Sequence, residues 1–418
     1  MTSCRTLLSI FATLLIIISA CLLFYPMGYL YATYENLYGE WLQFSAFVGI
    51  TVFSFLIVKN KLQAKLWFWY VLGVAAFYVA GEEISWGQQF FGWTSSAYFQ
   101  ANNLQGETNL HNMFTGPYKT LLKEILTYGL AFGIVAYGVL FPLCLRNKWL
   151  VAIKLEAWGI PAQPLCLSPI FALAALFELA VFNFNETEVA EMLIALVMCF
   201  FAAIIYFNTR AGVASGEGAI NKKLSTVMVV LLVAAFSFTQ LSLHSSTSKD
   251  RVANRIEAGV KKFAGRYARV GAWDHAIDLY ERHLSYSPES RSRLRRLAEA
   301  YESAGYMDEY QVTIQKALAL DLARLEEDRW RASLHRSLYK TYRVLGDYES
   351  ADMHIGRALA INRDRLAETP NSASAAYSFA LTLELVGKKR EAIEQFRRAV
   401  ELNPDRRKYR SAYRDAIY

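Results

Sequence analysis

The sequence predicts an all-α protein in two parts, a seven-helix transmembrane domain followed by an α-solenoid. The first part is indicated by apolar runs of roughly 17 to 23 residues, the length that a bilayer core requires. The second is indicated by a charged composition rich in Tyr, Leu and Ala and by a period of 34 residues. The predicted boundaries are 1–243 for the membrane domain, 244–256 for a linker, 257–406 for the repeats and 407–418 for a capping helix.

The charge pattern of the loops predicts how the chain crosses the membrane. The predicted spans are 6–24, 41–58, 65–80, 121–143, 165–183, 190–208 and 224–243. Lysine and arginine cluster after the second, fourth and sixth spans, and the positive-inside rule places these loops in the cytoplasm. We therefore expect a multi-pass protein of a bacterial inner membrane, with a cytoplasmic N-terminus and a periplasmic or extracellular solenoid.

The cysteines are predicted to behave as small apolar residues without disulfides, because none are paired at metal-site or redox spacing. They are Cys4, Cys21, Cys144, Cys166 and Cys199. The run Ile18 to Cys21 also fits the small-residue box before a lipid-modified cysteine. Apolar residues continue beyond Cys21, which favours an uncleaved first helix, and lipidation of Cys21 stays open as the alternative.

The excess positive charge lies in the second half of the chain. Residues 245–418 contain 32 Lys and Arg against 25 Asp and Glu, whereas residues 1–244 contain 12 of each. A basic domain tethered near a membrane favours an acidic partner such as anionic lipid, an acidic glycan or an acidic protein surface. No nucleic-acid motif is present, so nucleic acid is not expected as a partner.

A polar block at 80–117 separates two of the apolar spans. It contains Glu82, Glu83 and Glu107, four Gln, four Asn and His111, which is the first histidine of the chain. Unpaired polar groups at membrane depth cost several kcal/mol each, so such a concentration indicates a functional site. The alternative is an interfacial loop whose aromatic residues lie at headgroup level while its polar groups satisfy one another.

Spacing within this block predicts two groupings. If the third span continues as a helix, Glu82, Trp86, Gln89 and Trp93 share one face. Glu107, Asn109 and His111 alternate, so an extended segment would place them on one side. The candidate catalytic residues are Glu82, Glu83, Glu107 and His111, and the supporting residues within the block are Trp86, Gln89, Asn109 and Asn112. Glu178 lies outside the block, inside the fifth span, where it either faces the bundle interior and joins the cluster or reaches the interface near the end of the span.

Several chemistries remain open at these residues. A single histidine without a nearby cysteine argues against zinc, whereas a hard cation held by Glu82, Glu83 and Glu107 is chemically allowed. A carboxylate and His111 could instead perform acid/base catalysis. No serine-hydrolase elbow or phosphate loop is evident, and the sequence indicates no cofactor.

The strings GEEISWGQ and QGETNLHN, both within the polar block, resemble a pattern of bacterial polytopic membrane proteins that have no assigned activity. The resemblance covers about thirty residues. It implies that the block is characteristic of a family and supplies no reaction.

The last of four 34-residue windows, 373–406, carries small, aromatic and turn residues at the spacing of a tetratricopeptide repeat. They are Ala380, Leu383, Gly387, Ala392, Phe396, Ala399 and Pro404. Windows 257–290, 291–324 and 332–365 match in part. The chain thus resembles tetratricopeptide-repeat proteins over 257–406, which implies stacked helix pairs and a groove for a protein partner.

Two functions follow from these observations. The first is an outward-facing scaffold that recruits partners to cell-envelope assembly or export, for example of a surface polysaccharide or a lipid-linked polymer. The second is an integral-membrane enzyme that uses Glu82, Glu83, Glu107 and His111 on a lipid or lipid-linked substrate.

Overall fold

A computed structural model describes residues 2–103, 107–110, 121–211 and 217–417. These residues form helices and turns and contain no β-strand, as the sequence predicts. They divide into two compact units, Met1–Arg266 and Tyr267–Tyr418. We call these the membrane unit and the repeat unit.

The membrane unit contains thirteen described helices, of which the last crosses into the repeat unit. They are α1 Thr2–Phe24, α2 Pro26–Thr33, α3 Tyr38–Lys59, α4 Trp67–Glu83, α5 Gln88–Phe91, α6 Ala97–Asn102, α7 Leu121–Val135, α8 Phe141–Arg146, α9 Leu150–Trp158, α10 Ser168–Glu178, α11 Glu186–Ala211, α12 Glu217–His244 and α13 Lys249–Arg269. A π-helical turn, Ala136–Leu140, joins α7 to α8.

Five segments of the described chain are long and apolar enough to cross a membrane. They are Cys4–Phe24, Pro26–Lys59, Glu124–Arg146, Glu186–Arg210 and Gly218–His244. The predicted spans 65–80 and 165–183 correspond to shorter apolar helices, α4 with 17 residues and the segment Leu165–Glu178. Length and composition therefore support five of the seven spans, and the other two stay predictions.

The core of this unit is built around α11, which packs against α3 and α10. In the most apolar stretch of α11, 78% of the residues are buried, compared with 17% in α1 and 22% in α12. The outer helices instead present large apolar side chains outward, including Phe24, Phe77 and Phe132. Exposed apolar surface on this scale is compatible with a membrane protein.

The structure corrects the prediction that the cysteines form no disulfide. Cys4 of α1 and Cys166 are bonded at an S–S distance of 2.10 Å across 162 residues. The bond forms because α1 packs against the short turn Leu165–Leu167 that precedes α10. Spacing along the sequence carries no information about such a tertiary contact.

The repeat unit contains eight helices in the described chain. They are α14 Trp273–Ser285, α15 Arg291–Ala304, α16 Met307–Glu327, α17 Ala332–Leu345, α18 Tyr348–Glu368, α19 Ala373–Leu385, α20 Lys389–Leu402 and α21 Arg407–Ile417. Each helix packs against the next, and α17 also contacts α15 and α19. This order is that of a helical-repeat array, in which each repeat buries its apolar face against its neighbours.

The segment predicted as a linker is largely helical. Residues 249–256 form the first turns of α13, and Val252, Ile256 and Val260 are buried. Apolar residues at this helical spacing give α13 a buried face, which explains why the chain does not run as an extended connection here. The boundary between the units falls inside α13, at Arg266.

The turn between α19 and α20 has the geometry that the repeat resemblance implies. Gly387 has φ 76°, and beyond the glycine itself and its two chain neighbours no atom lies within 4 Å of the position that a Cβ would occupy. A left-handed backbone is accessible to glycine without the steric cost that an L side chain incurs.

Two of the repeats are longer than 34 residues. Helices α16 and α18 each contain 21 residues, whereas α20 contains 14. The fifteenth residues of the two long helices are Asp321 and Asn362, and both are buried. The additional turns therefore add polar groups to the interior of the repeat unit.

Candidate functional site

Helix α4 ends at Glu83, inside the polar block, and a left-handed turn follows it. Ser85, Trp86 and Gly87 have φ values of 47°, 56° and 92°. Left-handed backbone costs non-glycine residues roughly 1 to 2 kcal/mol each, so the surrounding contacts must stabilise this turn. The prediction that one continuous helix carries Glu82, Trp86 and Trp93 on a shared face is therefore wrong beyond Glu83.

Glu82 and Trp86 nevertheless contact each other, because the turn folds the indole back onto α4. Trp86 Nε1 donates to Glu82 Oε1 at 2.8 Å. A Cβ on Gly81 would lie only 2.8 Å from the indole ring, so glycine makes room for it. The second oxygen of Glu82 accepts from the backbone N–H of Leu110 at 2.7 Å, which ties the start of the block to its later part.

Glu107 is the centre of a buried hydrogen-bond network. Its Oε2 accepts from Ser85 Oγ at 2.9 Å and from Asn109 Nδ2 at 3.2 Å. Asn103 Nδ2 donates to Asn109 Oδ1 at 2.9 Å, and the backbone N–H of Glu107 donates to Asn103 Oδ1 at 3.1 Å. Ser85 is fully buried, and the other three side chains are nearly so. The left-handed turn thus directs a hydroxyl into a polar interior.

Arg255 of α13 completes this network, although sequence reasoning placed it in a linker and missed it. Its Nη2 lies 2.8 Å from Glu107 Oε1, and its Nη1 lies 2.6 Å from Glu35 Oε2. The side chains of Arg255 and Glu107 are 16% and 8% exposed. Two opposite charges with little exposure compensate each other here, which offsets part of the cost of burying each of them.

A second polar cluster surrounds Gln43 of α3. Its Nε2 donates to Glu83 Oε1 and to Glu191 Oε2, both at 3.0 Å. The carboxyl groups of Glu40 and Glu188 also lie near the carboxyl group of Glu83. The adjacent residues Glu82 and Glu83 therefore join different clusters.

The carboxyl group of Glu178 of α10 lies near that of Glu191, and Glu178 is 8% exposed. One of its carboxylate oxygens, Oε2, is buried without a hydrogen-bond partner among the described residues. This places Glu178 at the edge of the Gln43 cluster rather than at Glu107.

The structure brings only some of the predicted site residues together. Glu107 and Asn109 share one network, whereas Glu82 and Glu83 have separate partners. Among the described residues, no three His, Cys, Asp or Glu side chains are arranged to hold a metal ion. His111 and Asn112 lie outside the described residues, as does the side chain of Gln89.

Comparison with known proteins identifies one of the repeats. A family model described as tetratricopeptide repeat matches residues 373–406, the window that the sequence pattern fits best. Residues 373–406 form a tetratricopeptide repeat. No curated protein matches the chain.

Two solved structures resemble the chain at low identity. A thermophilic TPR protein of Thermus thermophilus is 16% identical, with a TM-score of 0.22, and the match covers 48% of this chain and 98% of that one. The MamA protein is 19% identical, with a TM-score of 0.18, and the match covers 38% and 80%.

The surface of the repeat unit includes a large aromatic side chain that is almost fully exposed. Trp330, in the turn between α16 and α17, is 83% exposed and has Arg329 and Arg331 as its chain neighbours. Tryptophan and arginine are enriched at the residues that contribute most to protein binding.

The interior of this unit contains a histidine pair. His335 Nδ1 and His354 Nδ1 are 2.9 Å apart, and His335 Nε2 lies 3.0 Å from the carbonyl oxygen of Arg329. Because His335 Nε2 donates to that carbonyl, a neutral His335 accepts at Nδ1 from His354. Burial lowers the pKa of both imidazoles, and for His354 the neighbouring His335 lowers the pKa further.

We expect the repeat unit to lose stability on acidification through this pair. The unfolded histidines take up protons near pH 6.5, whereas the folded pair resists protonation to a lower pH. The stabilisation is therefore complete above about pH 6.5 and declines as the pH falls through the lowered pKa values. The melting temperature of a 267–417 fragment, measured across this range, should fall less in a His335→Gln/His354→Gln variant. An identical pH profile in the variant would show that the pair contributes nothing.

Proposed function

We propose that the chain is a multi-pass membrane protein whose C-terminal repeats form a scaffold for a protein partner. The tetratricopeptide repeat at 373–406 carries this proposal, because stacked repeats of this kind present extended surfaces for other proteins. The exposed Trp330 and the basic charge of residues 245–418 support it further.

The proposed repeat array comprises four repeats over 257–406, on the outer side of a bacterial inner membrane. The positive charge of the loops predicted to be cytoplasmic supports this orientation. In this arrangement the scaffold recruits a protein partner, with lipid or acidic glycan as further ligands, to the assembly or export of an envelope polymer. We propose this role from composition and topology.

An enzyme acting on a lipid-linked substrate is the second candidate function. The observation that favours it is the strained turn at Ser85 and Trp86, which places Ser85 Oγ against the buried Glu107 carboxylate. Sparsely populated backbone conformations are enriched at active sites. In this proposal Glu82, Glu83, Glu107 and His111 would supply the acid/base groups.

Complementation of a deletion strain separates the two functions. One variant ends at Arg266 and lacks the repeat unit, and the other carries Glu83→Gln with His111→Ala. The scaffold proposal requires that the truncated chain fails and that the double variant restores growth, with both present in the membrane at wild-type levels. The opposite pattern would establish the enzyme as the primary function and overturn the scaffold.

A further inference from the structure

The repeat unit contains two buried polar clusters of the same layout. In the first, Arg295 Nη1 donates to Ser337 Oγ at 3.1 Å and to Thr341 Oγ1 at 2.9 Å. Asp321 supplies the opposite charge. Its Oδ2 lies 3.2 Å from Arg295 Nη1, and its Oδ1 accepts from Arg291 Nη1 at 2.7 Å. Asp321 is fully buried, so these ion pairs are what make its burial tolerable.

The second cluster repeats this layout one repeat later. Arg336 Nη1 donates to Ser378 Oγ at 3.1 Å and to Thr382 Oγ1 at 3.0 Å. The Arg–Ser and Arg–Thr separations along the chain are 42 and 46 residues, as in the first cluster. Asn362 takes the place of the aspartate and donates from Nδ2 to Thr382 Oγ1 at 2.7 Å.

The two clusters therefore differ in charge at equivalent positions. The carboxylate of Asp321 corresponds to the neutral amide of Asn362, and the carboxylate of Glu299 corresponds to the amine of Lys340. Among the described residues, no carboxylate forms an ion pair with Arg336. The second cluster thus keeps its arginine, loses its acid and gains a lysine one helical turn away.

Lys340 lies within a group of positive charges. Partial burial lowers its pKa, and the charges of Arg295, Arg336 and Arg296 lower the pKa further, while Glu384 partly offsets them. Neighbouring cations lower one another's pKa because they repel, so an anion that binds among them stabilises their charged forms.

A cavity of about 610 Å³ opens beside this group. Its volume falls within the range of ligand-binding pockets. Its lining includes the cations Arg295, Arg296, Lys340 and Arg343, the carboxylates Glu299 and Glu302, and the aromatic residues Tyr310, Tyr339 and Tyr348, whereas Arg336 is not part of the lining. The lining therefore carries more cations than carboxylates, together with aromatic surface, which suits an extended peptide that carries carboxylates.

We propose that Arg336 and Lys340 form an anion-binding site that receives a carboxylate side chain from an acidic segment of a partner protein. The partner's carboxylate takes the place of the acid that the second cluster lacks. This inference rests on the proposed scaffold function and specifies the chemistry of its partner. Its residues all lie in the repeat unit and are independent of the polar block.

The test uses the full chain, purified in detergent, and a short fluorescein-labelled peptide of alternating Glu and Ala. We expect its anisotropy to rise on binding at low salt, and a matched peptide of alternating Gln and Ala to bind at least about tenfold more weakly. Equal binding of the two peptides would overturn the proposal.

Three variants locate the binding to this site. Lys340→Gln removes a cation, and Asn362→Asp supplies an internal carboxylate that competes for Arg336, so each should weaken binding of the Glu peptide by about tenfold. Lys389→Gln is the control, because this exposed residue on α20 carries the same charge and does not line the cavity. Thermal unfolding of each variant verifies that it is folded.

Two results would contradict the site. If Lys389→Gln weakens binding as much as Lys340→Gln, the peptide responds to overall charge alone. If vesicles of anionic phospholipid bind through Lys340 while the Glu peptide does not, the occupant is a lipid surface. A chain that fails to bind the peptide while its truncation at Arg266 still abolishes complementation would refute this inference alone and leave the scaffold intact.

Discussion

Replacing Arg255 with alanine is expected to lower the free energy of unfolding of the membrane unit by about 3 to 5 kcal/mol. The change leaves the buried Glu107 carboxylate, which is 8% exposed, without its cationic partner, and it also removes the contact to Glu35. The cost of an uncompensated buried charge exceeds the value of the ion pair itself. Thermal unfolding of the full chain in detergent measures the effect.

The control for this prediction lies on the same helix. Lys261 is exposed on α13, and Lys261→Ala should change stability by no more than about 0.5 kcal/mol. Glu107→Gln combined with Arg255→Gln should destabilise less than Arg255→Ala, because it leaves no buried charge unpaired. Equal melting temperatures for Arg255→Ala and Lys261→Ala would mean that Arg255 does not hold this network together.

Phe396→Ala is expected to destabilise the repeat unit by about 3 to 5 kcal/mol. Phe396 of α20 is 1% exposed and packs against Ala380 and Leu383 of α19. Its removal leaves a cavity among helices that bury their apolar faces only against each other. The unfolding of a 267–417 fragment in urea, followed by circular dichroism, gives the free-energy difference.

A surface position provides the comparison for Phe396. Val312 of α16 is 73% exposed, and Val312→Ala should alter the free energy of unfolding by less than about 0.5 kcal/mol. A loss at Phe396 as small as that at Val312 would show that the fourth repeat does not share the cooperative core of the unit.

The repeat unit could be predicted from the sequence because its signals are local. Ala380, Ala392 and Phe396 recur at fixed spacing and are all buried, and Gly387 lies at the turn between the two helices. Each of these positions is determined within a single helix pair. A pattern of this kind remains readable even where tertiary contacts are unknown.

The candidate site was harder to predict because its contacts connect distant parts of the chain. Arg255 reaches Glu107 across 148 residues, and Gln43 reaches Glu191 across the same number. Helical periodicity also failed at Glu83, since nothing local signals that Ser85 and Trp86 adopt a left-handed backbone. Concentrated polar residues identified the segment, and only the fold shows which of them are neighbours.

The long helices α16 and α18 determine how such an array can grow. Their seven additional residues amount to nearly two helical turns, about 10.5 Å, and rotate the helix by only about 20° relative to its original face. An insertion of this length therefore preserves the phase of the buried stripe, whereas three or five residues would turn it away from its neighbour. The second and third repeats share a spacing of 41 residues, seen between Arg295 and Arg336. A block of that size could be duplicated as a unit, and each copy would carry a polar residue at the fifteenth position of its long helix. A change from Asp to Asn at that position removes the internal carboxylate. Under the anion-site proposal, it leaves the arginine of that repeat available to a ligand.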